Sequence, residues 1–335
     1  MTASQKPKVL LVGTLHFAQA EWEALSDVAE LLPLTSRDRT EFIADLHGKY
    51  SDIVALYRDF PSAEITGRFD EELSKHVPAS LKYICGHGAG YDQIDVPFYT
   101  AKGIRISNTP SAVDDATADT HVYLILGALR SFSLGERTLR EGKWLSGVGL
   151  AHDPRGKVVG IVGMGGIGRA LRDRLAPFGF SKIIYYNRRR LSPELEAGAE
   201  YVASLDELYA QTDVLALNCP LNEATHHLIN ADSIAKMKDG VVITNTARGK
   251  VVDEEALAAA LESGKVGAVG LDVFEHEPVV HPTLLSHPQA LLLPHMGTHT
   301  QETRKIMEVL VIDNIRAGLT KGELLTLVPD QVGKF

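Results

Sequence analysis

The sequence predicts an α/β protein of two doubly wound domains, each built on a parallel sheet. Three observations point there: the length, the alternation of short β-branched runs with helical patterns, and the unbroken apolar character of those runs. At roughly one domain per 150 residues, a chain of 335 residues has room for two cores. Runs such as 8–12 and 158–162 carry apolar residues in succession and do not alternate with polar ones, which suits strands covered on both faces.

The first alternation comprises strand 8–12, helix 21–31, strand 52–56, helix 69–76 and strand 82–85. Past residues 103–110 the pattern becomes one long helix over 115–130, with Val122, Leu124, Ile125, Leu126 and Leu129 as its apolar positions. A second alternation begins at Gly156. Its strands are 157–162, 182–186, 213–217, 241–244, 266–273 and 290–293, separated by helices over 169–178, 204–209, 231–237 and 254–263. Six strands in this order make a complete doubly wound sheet. The last helix, 301–319, follows the final strand and is expected to pack back on the first unit.

Composition narrows the function classes. Lys and Arg total 34 against 43 Asp and Glu, a net charge of −9 that argues against nucleic acid as the main partner. Two cysteines, Cys85 and Cys219, cannot build a disulfide framework or a cysteine-based zinc site, and no metal is expected. The apolar run 9–12 is too short for a signal-peptide core, and no stretch approaches the ~20 apolar residues of a membrane span. The expected location is the cytoplasm.

Gly163, Gly165 and Gly168 form G-x-G-x-x-G between a strand and a helix. The first glycine permits a tight turn, the second lets the backbone approach a pyrophosphate, and the third allows close packing of helix on strand. The motif predicts a dinucleotide. A second glycine cluster, Gly86, Gly88 and Gly90, fails the spacing because Tyr91 stands where the last glycine belongs.

The strand after the fingerprint ends in Asn187, Arg188, Arg189 and Arg190. A site for NAD usually places a carboxylate here to bind the ribose 2′-hydroxyl, whereas a 2′-phosphate is met by arginine. NADP(H) is therefore the expected cofactor, chosen by Asn187, Arg188 and Arg189, with NAD(H) possible. A solvated basic turn is the competing reading.

Three later segments lie at or just past strand ends: residues 245–249, 271–278 and 293–298. They bring an arginine, glutamates and a histidine to the side where open α/β sheets bind ligands. Hydride transfer to a 2-oxo acid needs such groups, a planar cation for the carboxylate and ketone and an acid to protonate the alkoxide.

With these residues in place, the chain resembles the NAD(P)-dependent D-2-hydroxyacid dehydrogenase family, which includes glyoxylate/hydroxypyruvate reductases and D-mandelate dehydrogenases. The resemblance runs from about Ile53 to Leu319 and rests on segments 246–253, 270–278 and 293–295. It implies two Rossmann/flavodoxin-like domains with the active site in the cleft between them. Residues 1–110 and 299–335 would form the substrate-binding domain. Residues 111–298 would form the dinucleotide-binding domain, including a dimerisation arm at about 115–150 and hence a homodimer. Carried over, Arg248 would bind the substrate carboxylate and carbonyl, and His295 would be the acid/base. Glu277 would hydrogen-bond His295 and keep the imidazolium available during reduction. Glu277 is preferred to Glu275 because it directly precedes Pro278, as in the family pattern.

The resemblance also implies cofactor contacts. These are Gly166 and Ile167 at the pyrophosphate, Cys219 and Pro220 beside the adenine, Thr246, Ala247 and Asp272 near the nicotinamide, and Gly297 next to His295. The loop of Gly88, Ala89 and Gly90 would present backbone amides to the substrate carboxylate. Tyr57, Arg58 and Phe60, just past a strand, are expected on the pocket wall. The expected activity is NADPH-preferring reduction of a 2-oxo acid to a D-2-hydroxy acid. The aromatic wall favours an apolar or aromatic side chain of the phenylpyruvate or 2-oxoisocaproate type, beside glyoxylate and hydroxypyruvate. Two alternatives stay open: a phosphoglycerate-type dehydrogenase, and an NAD(H)-sensing corepressor-like binding protein that retains the same residues.

Overall fold

The computed structural model describes residues 6–335, so residues 1–5 of the first expected domain lie outside the described part. The chain divides into two compact units, Met1–Val113 with His299–Phe335, and Asp114–Thr298.

The first unit holds five parallel strands: β1 (Lys8–Val12), β2 (Glu30–Pro33), β3 (Ile53–Arg58), β4 (Tyr83–Gly86) and β5 (Arg105–Ser107). Their order is β2-β1-β3-β4-β5. Because successive strand residues point to opposite faces, this sheet feeds two cores. Leu10, Leu56 and Ile84 join Phe42, Leu46, Phe69 and Tyr99 on one side. Val9, Ala55, Tyr57 and Cys85 join Trp22, Leu25 and Val311, Ile312 and Ile315 of helix Gln301–Lys321 on the other. That helix packs on the first unit, as its position after the last strand led us to expect.

Several short elements depart from the sequence reading. The expected helix 21–31 is a helix only over Gln19–Ala24, followed by a 3₁₀ turn and then by β2. Residues 29–34 alternate no better as strand than as helix, and pairing with β1 decides the matter. Pro33 lacks a backbone donor, which an edge strand tolerates. Helix Arg39–His47 was not anticipated, although its start is marked by Asp38, whose side chain accepts from Glu41 N.

The second unit holds seven parallel strands: β6 (Val158–Val162), β7 (Lys182–Tyr186), β8 (Glu200–Tyr201), β9 (Val214–Leu217), β10 (Val241–Asn245), β11 (Val266–Leu271) and β12 (Ala290–Leu292). The order is β12-β11-β10-β9-β6-β7-β8. Six of these match the expected strands. The seventh, β8, is a two-residue edge piece too short to leave a periodic signal. Strand order reverses between β6 and β9, the place where doubly wound sheets open a crevice at their carboxyl ends. Helix Asp114–Leu129 covers one face so closely that a Cβ on Gly270 would lie 2.8 Å from Leu124 O. Among the described residues no helix is long and apolar enough to cross a membrane. Cys85 and Cys219 are both free and buried.

Candidate active site

The fingerprint turn lies at the end of β6, and its glycines have three different neighbourhoods. At Gly163, with φ +96°, a Cβ would lie 2.7–2.8 Å from backbone atoms of Asn218 and Cys219. At Gly168 it would lie 2.3 Å from Gly163 O, whereas at Gly165 it would meet nothing within 4 Å. The first and third glycines are thus demanded by packing, and the second leaves open space above the amino end of helix Gly166–Leu175. That cradle lies at a helix start, whose dipole and amides fit a dinucleotide pyrophosphate, and the Asp114 carboxylate stands at its side, 2.0 Å from where a Cβ of Gly166 would lie.

Asn187 does not point outward from the arginine run. Its Oδ1 accepts from Met164 N at 2.7 Å and braces the fingerprint turn. The three arginines then separate. Arg190 forks onto Glu196 at 2.7 and 3.0 Å, and this guanidinium together with the Tyr185 hydroxyl holds the Glu196 carboxyl down at about 2. Arg188 and Arg189 are exposed, and no carboxylate pairs with either among the described residues. Cys219 packs beside Gly163, and burial pushes its thiol up to about 11; Pro220, next to it, is exposed.

The catalytic candidates sit on three turns at the carboxyl ends of β10, β11 and β12. Asn245 closes the first turn, accepting from Ala247 N and donating to Arg248 O, both at 2.9 Å. Arg248 Nη1 donates to Ala247 O at 2.7 Å. Gly249 admits no side chain, since a Cβ there would lie 1.8 Å from Phe274 C; the turn is pressed against the one after β11.

Asp272 anchors the third turn. Its backbone O accepts from His295 N at 2.7 Å, and its two carboxylate oxygens accept from Met296 N at 2.7 Å and Gly297 N at 2.8 Å. Burial raises its pKa, and the two amides oppose that rise. His295 is held at φ +51°, a left-handed conformation that a non-glycine residue adopts at a cost and that clusters at functional sites.

Glu277 completes the arrangement. Its Oε2 lies 2.8 Å from His295 Nδ1 and its Oε1 accepts from Phe274 N at 3.0 Å. Burial pushes the Glu277 carboxyl up, but the His295 hydrogen bond, the charges of His295 and Arg248 and the Phe274 amide together hold it below its ordinary value. As a carboxylate it accepts from Nδ1–H and fixes the orientation of the ring. Glu275, two residues earlier, turns the other way. It meets His227 Nε2 at 2.7 Å and accepts from Glu254 N at 3.3 Å.

In the first unit, the loop after β4 is tied to residues 108 and 109. Gly88 N donates to Thr109 Oγ1 at 3.0 Å, Gly88 O accepts from Thr109 N at 2.8 Å, and Ala89 O accepts from Asn108 Nδ2 at 2.7 Å. The amides of Ala89 and Gly90 have no acceptor among the described residues. Arg58 and Phe60 line a small cavity with Gly86, Gly90 and Tyr91. Tyr57 does not reach it. It is fully buried in the opposite core, as strand alternation between neighbours 57 and 58 requires. Arg58 donates to Gln93 Oε1 and stacks over Phe69, and burial lowers its pKa to about 10.

A profile of the D-isomer specific 2-hydroxyacid dehydrogenase NAD-binding domain matches residues 122–297. The chain belongs to the D-2-hydroxyacid dehydrogenase family. It is 52% identical over 330 residues to 4-methyl-2-oxopentanoate reductase A of Aspergillus oryzae, covering 98% of this chain and 100% of that one. A crystal structure of a glyoxylate reductase from Paecilomyes thermophila superposes with a TM-score of 0.95 at 53% identity, covering 97% and 99% of the two chains. An NADPH-dependent glyoxylate/hydroxypyruvate reductase from Sinorhizobium meliloti, in complex with NADP and malonate, superposes at 0.85 with 32% identity, covering 97% and 98%. The dehydrogenase is thus an enzyme that reduces small 2-oxo acids with a nicotinamide dinucleotide. Family, fold and enzyme class agree with the sequence reading.

Proposed function

We propose that this dehydrogenase is an NADPH-preferring reductase that converts a 2-oxo acid to the D-2-hydroxy acid, with His295 as the proton donor. The observation that carries the reading is the 2.8 Å contact of His295 Nδ1 with Glu277, on a turn anchored by Asp272. When bound, the cofactor supplies the hydride. Arg248 pairs with the substrate carboxylate and polarises the ketone, and its fixed positive charge favours the oxyanion that develops. His295 delivers a proton to that oxygen from Nε2 while Glu277 stabilises the imidazolium. The amides of Ala89 and Gly90 add donors for the carboxylate, so Gly88 is read as a support of that loop.

Arg188 and Arg189 are proposed to hold the 2′-phosphate, a reading supported by their exposure and by the pairing of Arg190 elsewhere. A branched apolar 2-oxo acid is the proposed substrate class, supported by the 52% identity to a 4-methyl-2-oxopentanoate reductase. The first unit is read as the substrate-binding domain and the second as the dinucleotide-binding domain. A second copy of the chain is proposed to cover Phe132, Leu139, Trp144 and Leu145, whose side chains lie 49–72% exposed on the arm. Two unpaired cysteines accord with work in the reducing cytoplasm.

A panel of 2-oxo acids assayed with both cofactors tests the reading. Turnover is expected to be highest with NADPH and a branched or aromatic acid, to vanish in His295→Ala, and to fall in Glu277→Gln but not in Glu275→Gln. Equal or better kcat/KM with NADH would sink the cofactor preference. Faster reduction of glyoxylate than of every bulkier acid would sink the substrate class.

A further inference from the structure

A polar centre beneath the ends of β9 and β10 contains only Thr246 of the residues assigned above. His121, on helix Asp114–Leu129, is fully buried there. Its Nδ1 lies 3.1 Å from Asn218 Oδ1 and 2.9 Å from Thr246 Oγ1, and its Nε2 lies 2.8 Å from Thr244 Oγ1. Burial pushes the His121 pKa down to about 4, so the ring is neutral and carries one proton at working pH.

Donor counting places that proton. Asn218 Oδ1 can only accept, so the ring proton is on Nδ1, and Nε2 accepts from the Thr244 hydroxyl, which lies nearer to it at 2.8 Å than to its other acceptor, Leu215 O, at 3.1 Å. The amide of Asn218 is thereby oriented with Nδ2 turned away from the histidine. That Nδ2 is buried and has no hydrogen-bond partner among the described residues. Native proteins rarely leave a buried donor unmet, and an orphan of this kind points to a missing acceptor.

The position says which acceptor. Asn218 follows β9, its N donates to Val162 O at 2.8 Å, and its carbonyl group abuts Gly163 of the fingerprint turn. It therefore stands at the reversal of strand order between β9 and β6, where dinucleotides bind. We infer that Asn218 Nδ2 donates to an oxygen on the part of the dinucleotide shared by NADH and NADPH, and that His121 is the positioning residue that aims it. This rests on dinucleotide binding alone, and not on the proposed preference for NADPH or the role of His295.

The test is binding, read by quenching of protein fluorescence with NADPH and with NADH, in Asn218→Ala, His121→Phe and the double variant. Loss of one neutral hydrogen bond is expected to weaken both cofactors alike, about fivefold to tenfold. His121→Phe should weaken them comparably, and the double variant should bind no worse than Asn218→Ala. Should His121→Phe fail to fold by circular dichroism, His121→Gln retains an amide donor for Asn218 Oδ1 and is expected to bind within about twofold of the parent. Asn218→Ser takes the place of Asn218→Ala, with the same expected loss for both cofactors, if the latter does not fold. Binding by a folded Asn218 variant within twofold of the parent would overturn the inference, as would a loss confined to NADPH. A His121→Phe effect that persists in full on the Asn218→Ala background would overturn the positioning role.

Discussion

Two glycine-rich loops end parallel strands in this enzyme, one in each unit, and they present their backbone amides in different ways. The loop of Gly163, Gly165 and Gly168 runs straight into a helix of ten residues, so its donors come as an aligned helix start. The loop of Gly88, Ala89 and Gly90 enters no helix directly. It is tied down by Asn108 and Thr109, and only two of its amides are left without an acceptor among the described residues. Similar composition thus yields a helix start in one unit and a two-donor loop in the other, the arrangements proposed above for a pyrophosphate and a carboxylate. Spacing decides the difference, since the six-residue fingerprint places its last glycine inside the helix, where the other cluster has Tyr91.

The largest effect is expected at the fingerprint. Gly163→Ala introduces a Cβ less than 3 Å from backbone atoms at a left-handed φ, and should weaken NADPH by about 100-fold or more and cost about 3 kcal/mol of stability. A cofactor titration and a thermal melt read both, and a variant binding within tenfold would contradict the packing argument. Gly90→Pro removes one of the two remaining amides of the other loop. The KM for the 2-oxo acid should rise about tenfold while the Kd for NADPH stays put; movement of both would erase the division of labour.

The arginine run sharpens the cofactor side. Arg188→Ser and Arg189→Ser should each lower kcat/KM with NADPH about tenfold and leave NADH nearly unaffected. Arg190→Ser should instead lower the melting temperature with little change in the ratio of cofactors. The smallest effect is expected for Thr109→Val, which removes the acceptor of Gly88 N and should cost about 1 kcal/mol in stability with a KM change of less than about threefold. A larger KM change would mean that Gly88 meets substrate directly.

Strands buried on both faces were the most legible elements, because continuous apolar runs such as 158–162 and 241–244 leave few other readings. Short edge strands were not, since β2 and β8 owe their form to one neighbour and little to their own pattern. The catalytic candidates could be named from motif order, but the opposite headings of Glu275 and Glu277 depend on turns that no local pattern encodes. Likewise Arg190 differs from Arg188 and Arg189 only through Glu196, six residues on. Tyr57 is a different case. Its removal from the cavity wall follows from strand parity, which sets neighbours 57 and 58 on opposite faces of β3.

The first unit has a seam that reaches almost end to end along the chain. Glu308 accepts from the amides of His16, Phe17 and Ala18, and Gln331 bonds Thr100, Ile104 and Ile106. During synthesis these contacts cannot form until the ribosome has passed the whole second unit, which is continuous in sequence and needs nothing downstream. The unit made first must therefore wait and close last, with β1 through β5 in need of protection while the later unit folds beside the exit tunnel.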